Sequence, residues 1–142
     1  MIQSRYLIIA LVLMMAGCTD DDTKNARDNP NVKRIIISFT WPKDYGKCFD
    51  PKNPEISVSD VPKDTAYFKV KVIDIQNNDY DHGGGKVSND GKGIIPYGSL
   101  LNYQGPCPSQ APTGTGTYEF TVLAYNSKDT LIGNGSSHRE FP

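Results

Sequence analysis

Two stretches of this chain alternate apolar and polar side chains with a period of two, and no window carries a helical stripe. In Ala66-Tyr67-Phe68-Lys69-Val70-Lys71-Val72-Ile73-Asp74, the residues Phe68, Val70 and Val72 fall on one side while Lys69 and Lys71 fall on the other. In Thr117-Tyr118-Glu119-Phe120-Thr121-Val122-Leu123-Ala124-Tyr125, the residues Tyr118, Phe120 and Val122 oppose Glu119 and Thr121. Such a pattern puts one face of a strand in a core and the other in water. Arg34 to Trp41 adds a third strand, with Ile35, Ile37, Phe39 and Trp41 sharing a side. With 13 Gly and 10 Pro in 142 residues the chain is too turn-rich for a helix bundle, and it is too short for two domains. The expected fold class is all-β: a small antiparallel β-sandwich in which each sheet covers the other's apolar face.

Between these strands the sequence punctuates itself. Pro42 to Pro62 holds four prolines and reads as loop, with room for a short edge strand around Ile56 and Val58. Ile75 to Gly93 turns to Asn, Asp and Gly, with Gly83-Gly84-Gly85 at its middle, and reads as a long mobile loop or a weak hairpin. A last strand is expected near Ser137 to Phe141.

Residues ahead of the first strand belong to a different kind of segment. A short basic start ending at Arg5, the apolar run Tyr6 to Met15 and the small pair Ala16-Gly17 have the layout of a secretory signal. Met15-Ala16-Gly17-Cys18 resembles the lipobox of bacterial lipoproteins, in which the cysteine is acylated and becomes the mature N-terminus. The expected organisation is a lipoprotein signal peptide at 1–17, a flexible tether at 18–31 and a single domain at 32–142. Attachment to a membrane through lipidated Cys18 follows from the methylenes that its acyl chains bury. Thr19 after Cys18, by resemblance to lipoprotein sorting rules, implies the outer membrane, and Asp20-Asp21-Asp22 resembles acidic tags that send such proteins to the cell surface. From Thr19 to Asn31 only Ala26 is apolar, so the segment has too little to bury to order itself.

Two further cysteines, Cys48 and Cys107, remain for an oxidising compartment, where a disulfide between them is the only intramolecular pairing. A reactive thiol or metal site is the competing reading, with only His82 and His138 as further soft ligands and no paired-cysteine spacing. No metal and no cofactor is expected. Lys+Arg 15 against Asp+Glu 16 leaves a net charge of -1, without the basic excess that draws a chain onto nucleic acid. The alternating oxygens of Asn77, Asp79 and Asp81 fail the EF-hand pattern, since His82 stands at its glycine position and Ser88 at its glutamate position. One histidine without a placed nucleophile makes no catalytic constellation, so a non-enzyme is expected. Two triplets, Asp64-Thr65-Ala66 and Asp129-Thr130-Leu131, resemble an O-glycan acceptor pattern of some Gram-negative bacteria.

A wider resemblance runs over about residues 45–126. Cys48-Phe49-Asp50-Pro51-Lys52-Asn53-Pro54-Glu55-Ile56, then Val61-Pro62-Lys63-Asp64-Thr65 and a strand ending at Asp74, are similar to the first half of the phosphatidylethanolamine-binding family, including its bacterial Raf-kinase-inhibitor-like members. Tyr103-Gln104-Gly105-Pro106-Cys107-Pro108 resembles that family's Gly-Pro-Cys-Pro-Pro signature, and Gly114 to Val122 sits where the family carries a Gly-x-His-Arg-Tyr-x-Phe strand. The resemblance implies a divergent, truncated β-sandwich with a pocket for a phosphorylated headgroup or small anion, lined by Asp74, His82, Gly105, Pro106, Cys107 and Pro108. It also implies that the loops bearing Cys48 and Cys107 flank that pocket. The chain departs from the family at Ile75 and Gln76, which replace Pro and Asp, at Gly83, which replaces an aromatic, and at Gly116, which replaces the second His.

A rival reading takes Tyr118 to Asn126 as the penultimate strand of a fibronectin-III-like or immunoglobulin-like module. It makes the protein a surface adhesion or scaffold element without a ligand pocket. The two readings part on one point: the first gathers Asp74, His82 and Cys107 around one cleft, and the second scatters them.

Overall fold

The structure, a computed structural model, describes residues 29–45, 48–77, 79–107 and 116–141. The signal peptide, Cys18, most of the tether and Pro108 lie outside the described residues. Eight strands follow in order: β1 (Lys33–Arg34), β2 (Ile36–Phe39), β3 (Ile56–Ser59), β4 (Thr65–Asp74), β5 (Tyr80–Ser88), β6 (Ile94–Ile95), β7 (Thr117–Asn126) and β8 (Leu131–Glu140). They form a five-stranded sheet, β1-β8-β7-β4-β5, and a three-stranded sheet, β2-β3-β6. Every pairing is antiparallel except β1 with β8. The protein is an all-β sandwich.

The core lies where the alternation puts it. Phe68, Val70 and Val72 of β4 and Phe120, Val122 and Ala124 of β7 face Ile37 and Phe39 of β2, Ile56 and Val58 of β3, and Ile95 of β6. The first strand of the sequence is divided between the sheets. Lys33 and Arg34 pair in parallel with Gly133 and Asn134, and from Ile36 the chain crosses to pair with β3. Ile35 sits at the crossing, 2 % exposed, with its N–H donated to the Asn134 carbonyl (2.8 Å). Gly135 admits this close approach, because a Cβ there would overlap the Ile35 carbonyl oxygen.

Three segments differ from expectation in extent or in place. The stretch expected as a loop or weak hairpin contains the nine-residue strand β5, paired with β4 from Tyr67–Ser88 to Asp74–Tyr80. Glycine's low strand preference hides it in the sequence. The glycines are there because Asn102 to Gln104 runs along the outer edge of β5: Asn102 N–H donates to the Gly84 carbonyl (3.0 Å) and Gln104 N–H to the His82 carbonyl (2.9 Å). At Gly83, with φ of 75°, a Cβ would overlap the Asn102 carbonyl. That segment covers an edge that would otherwise invite pairing with another chain. The strand at Ile56 and Val58 is central in its sheet and not an edge, held between β2 and β6, and the last strand begins at Leu131 and not at Ser137.

The connections sort to two poles. The β2–β3 loop, the β4–β5 turn, the β6–β7 loop and the end of β8 gather at one. The described chain enters at the other, beside the β7–β8 turn, since Lys33 pairs with Gly133 near the start of β8.

Candidate functional site

At the first pole two long loops are sewn together. Asn53, fully buried, donates from Nδ2 to the carbonyls of Pro54 (2.7 Å) and Pro96 (3.1 Å) and accepts the Leu100 N–H (2.9 Å). A buried amide satisfied on three sides in this way fixes one loop against the other. The Tyr45 hydroxyl donates to the Lys52 carbonyl (2.8 Å) and shares a hydrogen bond with the Tyr103 hydroxyl (2.8 Å). Cys48 and Cys107 form a disulfide across the same two loops, with Cα atoms 4.4 Å apart.

The β4–β5 turn supplies the facing wall. An Asp74 oxygen accepts the Gln76 N–H (3.0 Å), Asn77 N–H donates to the Asp74 carbonyl (3.2 Å), and Tyr80 N–H donates to the Asn77 carbonyl (3.0 Å). Those bonds turn the chain so that His82 comes back beside Asp74. Phe49, Asp74, Asn77, Tyr80, His82, Cys107 and Tyr118 line a small cleft of about 120 Å³.

Asp74, His82 and Cys107 thus meet around one cleft. Gly105 and Pro106 are buried behind Cys107 and do not line it. The Gly105 N–H is spent on the Asp50 carbonyl (2.9 Å), Pro106 has none, and the Cys107 N–H bonds the Tyr118 hydroxyl oxygen. The backbone donors that a phosphate needs at this turn are therefore already engaged.

Asp74 is 2 % exposed, and besides the Gln76 N–H it accepts the Tyr118 hydroxyl. His82 is 4 % exposed, held edge-on between the rings of Tyr80 and Tyr118, each at a centroid distance of 5.0 Å. Its Nδ1 lies 2.8 Å from the Gln104 carbonyl, which can only accept, so the proton is assigned to Nδ1. Nε2 has no hydrogen-bond partner among the described residues and is the ring nitrogen left for a ligand. The cleft therefore offers a carboxylate, an imidazole nitrogen, an amide and aromatic walls. Among the described residues no group of three His, Cys, Asp or Glu side chains converges as a metal site.

Tyr118, Phe49, Asn77 and Tyr80 were not legible as site residues. Tyr118 shares the core side of β7 with Phe120, and its hydroxyl reaches Asp74 only because the two residues are register partners. Of the two acceptor-like triplets, Thr65 is buried with its hydroxyl donated to the Pro62 carbonyl (2.7 Å), whereas Thr130 is exposed beside the β7–β8 turn. No family model matches the chain, and no curated protein matches it.

Burial, and next the Asp74 carboxylate beside it, push the Tyr118 hydroxyl from 10.0 up to about 12. Burial pushes Tyr45 and Tyr103 upward as well. Below a pH of about 10 these phenols are protonated in both folded and unfolded chains, and the stability is at its full value. As pH rises past about 10 the unfolded chain releases those protons first, so stability falls until the folded groups titrate. Urea unfolding from neutral to strongly alkaline pH checks this: the midpoint is expected to drop above a pH of about 10, less steeply in Tyr118→Phe, and a flat profile contradicts it.

Proposed function

We propose that this chain is a lipid-anchored bacterial envelope protein, of outer-membrane and surface-exposed placement, whose cleft binds a small polar headgroup by its ammonium end. The signal-like start and Cys18 support the anchoring. The observation that carries the binding is a buried carboxylate, Asp74, in a cleft walled by Phe49, Tyr80 and Tyr118 and adjoined by the unengaged Nε2 of His82. Carboxylates and aromatic faces both attract an ammonium group.

The resemblance to phosphatidylethanolamine-binding proteins points to a phosphorylated headgroup, and the donor accounting refines which end of it enters. Among the described residues that line the cleft, Asp74 is the only Asp, Glu, Lys or Arg, and the amides at Gly105 and Cys107 are engaged. A bare phosphate would meet a carboxylate there, while the amine half of phosphoethanolamine would meet its complement. Tyr118 pairs with Arg139, six residues along β8 from the Gly133 that pairs with Lys33, so the cleft stands about 20 Å from the pole where the chain enters. The described chain thus begins at the end of the sandwich opposite the cleft. A free headgroup, or one borne by another molecule, is the ligand this geometry favours.

Calorimetric titration of the intact, oxidised protein with ethanolamine, phosphoethanolamine and inorganic phosphate tests the reading. The two amines are expected to bind and to lose roughly tenfold or more in Asp74→Asn, the scale of one charge-assisted hydrogen bond. Binding of phosphate alone, unaffected by Asp74→Asn, would restore the anion pocket and overturn the amine assignment.

The second reading has its own support. With β2, β3 and β6 in one sheet and β5, β4, β7 and β8 in the other, and with the first strand shared between them, the strand order is that of immunoglobulin-type sandwiches. That order favours an adhesion or scaffold module. It becomes the better account if none of the three ligands binds a well-folded protein.

A further inference from the structure

Beside the cleft, three exposed apolar side chains gather around one hollow. Phe49 is 39 % exposed, Tyr80 47 % and Leu101 91 %, and with Pro51 and Tyr103 they line an open groove of about 790 Å³. A single exposed leucine is ordinary, but several apolar side chains around one concavity mark a binding surface. Phe49 and Tyr80 also line the cleft of Asp74 and His82, so groove and cleft share two walls. Among the described residues that line the groove, none carries a charge. Asp50, Asp79 and Asp81 adjoin its walls in sequence, yet none of them lines it. The Asp50 and Asp81 carboxylates accept the N–H groups of Lys52 (2.9 Å) and Gly83 (2.7 Å).

The backbone holds these side chains out. On either side of Leu101, the Leu100 N–H donates to Asn53 Oδ1 (2.9 Å) and Asn102 exchanges hydrogen bonds with Gly84 (3.0 and 3.3 Å). Leu100 and Tyr103 are buried, so the exposure of Leu101 is fixed by how its loop is anchored. Phe49 has a φ of 57°, a left-handed conformation that a bulky side chain rarely adopts. It is kept there between the disulfide at Cys48 and the Asp50 carbonyl, which accepts the Gly105 N–H (2.9 Å). Strain of this kind persists only where the surroundings impose it, and it clusters at ligand sites. Tyr80 stands on the boundary, its ring edge-on to His82 at 5.0 Å in the cleft while it also walls the groove.

From this continuity we infer that the ligand of the cleft is an amine bearing an apolar group, with its ammonium at Asp74 and the apolar group laid in the groove against Phe49, Tyr80 and Leu101. The inference rests on the ammonium reading of the cleft and adds what the ligand carries beyond that charge. An aliphatic chain and an aromatic ring present the same chemistry to these walls.

The test is calorimetric titration of the intact, oxidised protein with ethanolamine, ethylamine, hexylamine, phenethylamine and 1-hexanol. Hexylamine is expected to bind roughly tenfold more tightly than ethylamine, the scale of four partly buried methylenes. Leu101→Ser alters an exposed side chain, so it is expected to fold as the parent does and to cut that gain to about threefold or less. Asp74→Asn is expected to weaken hexylamine about tenfold or more. A gain with hexylamine assigns an aliphatic group, and a gain with phenethylamine an aromatic one. Binding of ethanolamine and ethylamine with no gain from either larger amine overturns the groove and leaves the ammonium reading standing. A full gain in Leu101→Ser overturns the groove too, and equal affinity for 1-hexanol and hexylamine overturns the joint site. If no amine binds the folded protein, the ammonium reading falls and the groove assignment falls with it.

Discussion

Phe120→Ala is expected to remove about 3–5 kcal/mol of unfolding free energy, the range for truncating a buried aromatic that leaves a cavity behind. Phe120 is 0 % exposed on β7 and meets rings from several other segments: Phe39 at 4.4 Å between centroids, Tyr103 at 5.9 Å and Trp41 at 6.0 Å. Phe39 belongs to the opposite sheet and Tyr103 to the loop that carries the cleft wall. Phe120 is thus where the two sheets and the cleft loop share a packing surface. A domain of this size holds about 5–15 kcal/mol in all, so the variant is expected to be marginal at best. Urea unfolding should show a lower midpoint with an unchanged slope. A loss below about 1 kcal/mol would mean that the sheets do not pack through this ring.

Replacing both cysteines, Cys48→Ser with Cys107→Ser, is the other large effect. The disulfide spans a sequence separation of 59, and closing a loop of that length restricts the unfolded chain by about 4 kcal/mol in the chain-entropy treatment. Changing both residues avoids the orphan thiol that a single variant would leave. The Asn53 and Gly105 hydrogen bonds still join the two loops without the bond, so the expected outcome is a folded but much less stable protein. Cys107 also lines the cleft, and headgroup affinity should fall along with stability. An unfolding midpoint equal to the parent's would contradict this.

What the sequence displays follows from how locally each feature is encoded. The strands β4 and β7 are legible because each has one wet and one dry face, and the alternation records it residue by residue. Ile35, Ile37 and Phe39 were likewise legible as core residues, but the change of sheet between Arg34 and Ile36 was not, since strand partners leave no mark on the pattern. The strand β5 was legible only as one arm of a weak hairpin or a long loop, because its glycines serve a backbone approach by Asn102 to Gln104, a contact between distant segments. Cysteine arithmetic alone led to Cys48 and Cys107.

The candidate site divides in the same way. Asp74, His82 and Cys107 could be named in advance, and the β4–β5 turn together with the stitched loops brings them to one cleft. The chemistry of that cleft could not be named. Whether the Gly105 and Cys107 amides were free for an anion depended on the Asp50 carbonyl and the Tyr118 hydroxyl, which arrive from other parts of the chain. An anion pocket and a carboxylate-lined amine pocket share the same residue names and differ only in which donors are engaged.

The most direct test of the central claim is a backbone-amide NMR titration of the intact, oxidised protein with ethanolamine. Saturable shifts clustered at Asp74, Gln76, His82, Cys107 and Tyr118, absent in Asp74→Asn, are the predicted result. Shifts scattered away from these residues, or none in a well-dispersed spectrum, would contradict an amine-binding cleft and leave the sandwich as a scaffold.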